Sequence, residues 1–194
     1  MLGAMTLIVT VGAFLVFMQN TTAPHTTLPT SHTTVVNTLT LTSPAFAHNE
    51  AIPPMYTCDG ENISIPLTIQ HVPEGTHSLA LVMDDPDIPV AVKEKMGISH
   101  FDHWVLYNIP PDTTSIEDGV GVGNLGLNSL GKMEYIGPCP PDGEHRYVFR
   151  LYALSQPLTF IKQPTLFEVE EASKSIAIAK AELIGTYKRT ISPQ

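Results

Sequence analysis

The sequence predicts a mainly β fold, a β-rich α+β domain, on three observations. Its 194 residues include 17 prolines and 13 glycines, which suits many turns between short strands. Apolar runs of strand length stand at 78–83 (S-L-A-L-V-M), 103–110 (H-W-V-L-Y-N-I-P) and 145–154 (H-R-Y-V-F-R-L-Y-A-L). Only one stretch, 165–185, shows clear helical spacing of apolar residues. The chain is 43% hydrophobic and 15% charged, the balance of a globular domain long enough to bury a core. Its formal net charge of −9 argues against nucleic acid and against general attraction to anionic lipid. A local anion site built from N–H groups and imidazoles is compatible with that charge.

Taken in order, residues 1–18 carry no charged side chain and read as an N-terminal anchor in preference to a cleaved signal segment. Residues 19–37 form a Thr/Pro-rich linker that cannot bury a face. The domain occupies 38–192. The chain is therefore expected outside the cytoplasm, tethered to a membrane through its N-terminal segment or secreted. Asn20 and Asn62 each begin a glycosylation acceptor pattern, which is frequent by chance.

Within the domain, 38–41 is a first strand and 51–66 is irregular, with a D-G turn signal at 59–60. A short strand is expected at 67–72. The run at 78–83 is apolar throughout, as in a strand covered on both faces. It ends in D-D-P-D-I-P (84–89), where two prolines stop the strand. Residues 90–101 read as a loop. If the strand opening at His103 runs antiparallel to 78–83, Asp85 lies near His103, and a carboxylate beside an imidazole fixes its tautomer and favours its charged form. Residues 121–126 match G-x-G-x-x-G but neither follow a strand nor open a helix, so a dinucleotide fingerprint is rejected.

The segment 137–154 joins a proline-stiffened turn to a strand, with His145, Tyr147, Phe149 and Leu151 on one face. Gly137 and Gly143 allow close approach to the main chain. Thr165 and Glu168 form a capping box at the start of the helix. The two cysteines, Cys58 and Cys139, are compatible with buried thiols, half a metal site or a disulfide. Outside the cytoplasm the disulfide is the leading reading.

The blocks D-D-P-D-I-P (84–89), H-W-V-L-Y-N-I-P (103–110) and Y-I-G-P-C-P-P-D-G-E-H-R-Y (135–147), in this order, resemble the phosphatidylethanolamine-binding protein family. The likeness is to its bacterial and archaeal Raf-kinase-inhibitor-like branch and covers about 40–190, with support from S-P-A-F (43–46), Y-T-C-D-G-E-N (56–62) and E-L-I-G-T-Y-K-R (182–189). Two departures are Ile69, where similar sequences carry an aromatic, and Glu134, where a glycine is usual. The resemblance implies a large central sheet, a second smaller sheet and a C-terminal helix. It implies a non-enzymatic binder with a small pocket for phosphate or a phosphoryl head group, formed by Asp85, His103, Gly137, His145 and Tyr147. Asp87, Trp104 and Pro141 would wall that pocket. Phospholipid binding and a protein partner, a serine protease or a kinase that the domain inhibits, are implied as well. No cofactor and no metal are expected: Asp85, His103 and His145 lack any short metal-binding spacing.

The expected chemistry is reception of an oxyanion by the imidazole N–H groups of His103 and His145, the Tyr147 hydroxyl and a main-chain N–H near Gly137, with Asp85 orienting one imidazole.

Overall fold

The computed structural model describes residues 38–189, so the expected anchor (1–18) and linker (19–37) lie outside the described residues. Two antiparallel sheets face each other. The smaller has the order β1 (Thr40–Thr42), β2 (Leu67–Gln70), β5 (Ser115–Ile116). The larger has the order β6 (Asn124–Leu125), β4 (Phe101–Ile109), β3 (Ser78–Asp85), β7 (Glu144–Leu154), β8 (Ala177–Lys188). This is the sheet-dominated, two-sheet architecture expected, with few helices.

The apolar run at 78–83 becomes β3, the middle strand of the large sheet, and every residue from Ser78 to Asp85 is buried. A strand covered on both faces reads as continuously apolar, whereas one with a wet face alternates. Leu79, Leu81 and Met83 face the small sheet, packed with Leu41, Leu67, Ile69, Phe149 and Leu151. Ala80 and Val82 face the other way, with Val105, Tyr152, Leu166 and Val169, beneath helix α2 (Leu166–Ile176).

Two expectations are corrected. Residues 90–101 are not all loop: Val90–Met96 is helix α1, closed by Gly97 in the left-handed region (φ 68°). The pattern P-V-A-V-K-E-K-M-G carries that stop signal in plain view. The expected helix 165–185 starts where the capping box puts it, with Thr165 and Glu168 bonding reciprocally, but ends at Ile176. The rest is β8, paired with β7 from Ala177 to Lys188. Its alanines favour helix on intrinsic propensity, yet Leu183, Gly185 and Tyr187 are buried at period two, and pairing with β7 prevails. Ser155 caps the truncated helix, its N–H and Oγ both donating to the Ile176 carbonyl.

Under α2, Arg150 of β7 meets Asp84 of β3 (Nη1 to Oδ1, 2.8 Å) and Glu170 of α2 (Nε to Oε1, 2.6 Å). Tyr152 also donates to Glu170, at 2.6 Å. Burial raises the Asp84 pKa and Arg150 opposes that shift. Replacing Arg150 with methionine keeps the volume but leaves a buried carboxylate without its countercharge. The expected cost is about 3 kcal/mol or more in urea unfolding. A loss within about 0.5 kcal/mol, as for a surface change, would show that Asp84 is held by other means.

Candidate functional site

At one end of the large sheet β3, β4 and β7 deliver Asp85, His103 and His145 to a common place. Side-chain alternation alone would not bring His103 there. On β4, Trp104 and Leu106 face the small sheet, while Val105 and Tyr107 face α2. The register with β3 slips between Met83↔Trp104 and Asp84↔Asp102, leaving His103 as the extra residue of a bulge. A bulge re-aims the side chain it carries. His103 lies edge-on to the Tyr147 ring (centroids 5.1 Å apart, planes at 79°), and Tyr147 belongs to the core between the sheets.

The partners differ from those expected. Asp85 pairs with His145, not with His103: Asp85 Oδ2 accepts from His145 Nδ1 at 2.7 Å, and both side chains are 4% exposed. Asp85 Oδ1 accepts the Asp87 N–H at 2.8 Å, which tightens the D-D-P-D turn. Burial pulls the His145 pKa down, but the hydrogen bond and charge of Asp85, helped by Asp142 at 3.4 Å from Nε2, outweigh it and the net shift is upward. Burial likewise pushes Asp85 up, against the bonds from His145 and the Asp87 N–H. The pair therefore keeps a proton between its two members.

His103 behaves in the opposite way. Its Nδ1 lies 2.6 Å from the Ile136 carbonyl, which can only accept, so Nδ1 carries the hydrogen. Burial drives its pKa down to about 4, against the smaller upward pull of that carbonyl. At neutral pH His103 is uncharged and its Nε2 is an acceptor. The expected pair of charged imidazole donors is thus corrected to one proton-holding pair and one neutral ring. The Tyr147 hydroxyl is buried without a hydrogen-bond partner. Desolvation raises its pKa, so it remains a donor.

A cavity of ≈ 240 Å³ opens here, lined by Asp85, Ile88, Pro89, Val92, Phe101, His103, Ile136, Gly137, Cys139 and Pro141. His145 is absent from the lining and acts on the cavity through Asp85, while Tyr147 lies behind His103. Pro141 is in the wall. Asp87 is not: it turns to Arg146, which grips it with Nε (2.8 Å) and Nη2 (2.7 Å). Trp104 is not either. It stacks edge-on against Tyr135 and lines a separate hollow with Asn62, Met133 and Val120. These two corrections have separate causes: the bulge puts Trp104 and His103 on different sides, and the guanidinium fork of Arg146 claims Asp87.

Gly137 has a structural duty. Its N–H donates to Asn62 Oδ1 at 2.8 Å and is not free for a ligand. A Cβ at Gly137 would strike the Tyr56 carbonyl and the Asn62 side chain. The glycine lets two loops touch, and the sequence reading, which saw only a bare backbone, missed Asn62 as its partner. A disulfide between Cys58 and Cys139 clamps the same two loops (Cα–Cα 5.4 Å), and the Cys58 N–H donates to the Pro138 carbonyl at 3.1 Å. That bond is compatible with an extracytoplasmic location. Among the described residues no helix is long and apolar enough to cross a membrane.

Comparison with known proteins places this fold. The sequence model of the family described as Phosphatidylethanolamine-binding protein matches residues 42–188. A UPF0098 protein of Methanothermobacter thermautotrophicus is 44% identical over 158 residues, spanning 78% of this chain and 99% of that protein. A UPF0098 protein of Chlamydia pneumoniae is 43% identical over 151 residues, spanning 77% and 99%. Among solved structures, CT736 of Chlamydia trachomatis, a homologue of the same family, superposes with a TM-score of 0.74 at 40% identity, covering 79% of this chain and 99% of its own. Escherichia coli YbcL, described as a member of the mammalian family, gives 0.69 at 28% identity, covering 78% and 99%. The fold is that of a two-sheet β domain with a pocket at its strand ends. The chain belongs to the phosphatidylethanolamine-binding protein family.

Two outcomes are expected from this geometry. In a long-range ¹H–¹⁵N spectrum at about pH 5.5, within the range where an ordinary imidazole charges, His103 is a neutral ring protonated on Nδ1. A midpoint near the unperturbed value of about 6.5 would contradict its burial. By linkage, the unfolded chain binds a proton at His103 below about pH 6.5 that the folded chain refuses down to about 4, so His103 lowers stability as pH falls through that window. Second, replacing both cysteines with alanine costs about 4–5 kcal/mol in the chain-entropy view, given a sequence separation of 81. A loss under about 1 kcal/mol, read by urea unfolding, would mean that the two loops hold without their covalent clamp.

Proposed function

We propose that this domain is a non-enzymatic binding protein whose pocket takes a small oxyanion of the phosphate or phosphoryl head-group type. The observation that carries the reading is a head-group-sized cavity lined by Asp85, which shares a proton with His145, and by His103, whose Nε2 is free to accept. A volume of ≈ 240 Å³ lies below the usual range for drug-sized ligands, so only the head of a larger molecule enters. The cavity wall has no hydroxyl nucleophile, and its one cysteine is in the disulfide, which supports binding rather than nucleophilic catalysis. Membership in the family, whose name describes a lipid ligand, supports the same class of ligand.

The neutral ring of His103 sets the proton balance. An oxyanion meets an acceptor at Nε2 unless it brings a proton of its own or the ring takes one up. Either route couples binding to proton uptake, so affinity falls as pH rises. The His145 proton, held by Asp85, adds to the same trend because its loss leaves Asp85 as a bare negative charge beside the ligand.

Inorganic phosphate titrated calorimetrically from about pH 5.5 to 8 should weaken by roughly tenfold or more, with proton uptake revealed by buffers of different ionisation enthalpy. Affinity that is flat with pH, with no proton uptake on binding, would overturn the proposal.

A further inference from the structure

The hollow beside Trp104 has a volume of ≈ 320 Å³ and shares no lining residue with the Asp85–His103 pocket. Three hydrogen-bond donors around it have nothing to donate to. Trp104 is 2% exposed, and a buried indole N–H usually finds a partner. This one finds no acceptor among the described residues, yet its nitrogen is not sealed from solvent, so it opens onto the hollow that Trp104 lines. Ser64, 7% exposed, accepts the Gly119 N–H at Oγ (3.0 Å), which leaves its own hydroxyl hydrogen without an acceptor among the described residues. Asn62 gives its Oδ1 to the Gly137 N–H (2.8 Å), which leaves both hydrogens of Nδ2 without a partner.

The remaining surfaces narrow the chemistry of an occupant. Tyr135 stands edge-on to Trp104 (centroids 5.5 Å apart, planes at 86°) and spends its hydroxyl on the Tyr56 carbonyl, so it offers ring surface rather than a polar group. Glu134, half-exposed and 3.2 Å from Lys132, is the one charged residue in the lining. Its carboxylate accepts hydrogen bonds and repels anions, so phosphate and carboxylate ligands are disfavoured here. An acyl chain is disfavoured as well, because it would cover three donors without satisfying them. A neutral ring bearing several hydroxyls and an apolar C–H face meets every condition, and the hollow, at the small end of ligand sites, suits a single such ring.

We propose that this hollow is a second binding site and that it takes a neutral sugar ring. Trp104 Nε1, Ser64 Oγ and Asn62 Nδ2 donate to sugar oxygens, Glu134 accepts from a sugar hydroxyl, and the ring of Tyr135 packs on the C–H face. The site is independent of the phosphate reading of the other pocket, and either can fail without the other.

The test uses the full-length chain, whose single tryptophan is Trp104 itself and reports from within the site. Its fluorescence is followed as methyl β-glucoside, methyl β-galactoside and N-acetylglucosamine are titrated, with excess inorganic phosphate present to occupy the other pocket. At least one of the three should give a saturable change, and glucuronate, similar in size but anionic, should bind about tenfold more weakly or worse. Gly121 lines the hollow with an unstrained φ and nothing within 4 Å of an added Cβ, so Gly121→Leu crowds the site without disturbing the fold. It should weaken binding about tenfold, and Glu134→Ala about fivefold, the worth of one hydrogen bond. Both variants should keep the parent's far-ultraviolet circular dichroism and urea midpoint. No fluorescence change with any of the three sugars, glucuronate binding as tightly as they do, or an affinity indifferent to both substitutions would overturn the proposal.

Discussion

Two consecutive carboxylates end the central strand, and the rest of the molecule is arranged to accommodate them. Asp84 and Asp85 are both buried at the tip of β3, where strand alternation sends them to opposite faces. A buried carboxylate is costly unless it is paired and hydrogen-bonded. On the α2 side Arg150 meets Asp84 and is itself shared with Glu170, so one charge holds helix, β3 and β7 together. On the other side His145 meets Asp85, and there the pairing partner can change its charge. One face carries a fixed ion pair and the other a proton-holding pair, from neighbouring residues of one strand.

The position of that second pair explains why the pocket is where it is. Asp85 closes its own turn through the Asp87 N–H, and Asp87 is anchored by Arg146, one residue beyond His145. The turn and β7 are thus stitched twice, leaving the carboxylate with one oxygen on His145 and one at the turn. The opposite wall comes from two loops clamped by Cys58–Cys139 and by the Asn62–Gly137 bond. A rigid rim around a small hollow favours pre-organised recognition, since little is left to order when a ligand arrives.

Much of this was legible in the sequence, and the failures have definite causes. The strands at 78–83, 103–110 and 145–154 were readable because burial of both faces, or of one, leaves a pattern that no loop shows. Asp85, His103, Gly137 and Pro141 were found as residues of one region through their family motifs. Which carboxylate meets which imidazole was not readable. It depends on a one-residue slip between β3 and β4 that turns His103 off its expected face, and a slip leaves no mark on composition. The C-terminal segment deceived for a related reason: Leu166, Val169, Ala172, Ile176, Ala179 and Leu183 keep three- and four-residue steps past the true helix end, and only the long partner β7 turns the second half into a strand. Asn62 went unseen as a structural partner because it meets Gly137 across 75 positions of chain.

The covalent link between Cys58 and Cys139 has a topological effect as well. It closes a ring containing β2 through β6, with β1 before it and β7, α2 and β8 after it. The exposed stretch at 117–121 lies inside that ring. A protease cutting there would open the ring without releasing a fragment, since both new ends stay joined through sulfur. A single cut in this exposed connection would therefore leave the domain as one molecule.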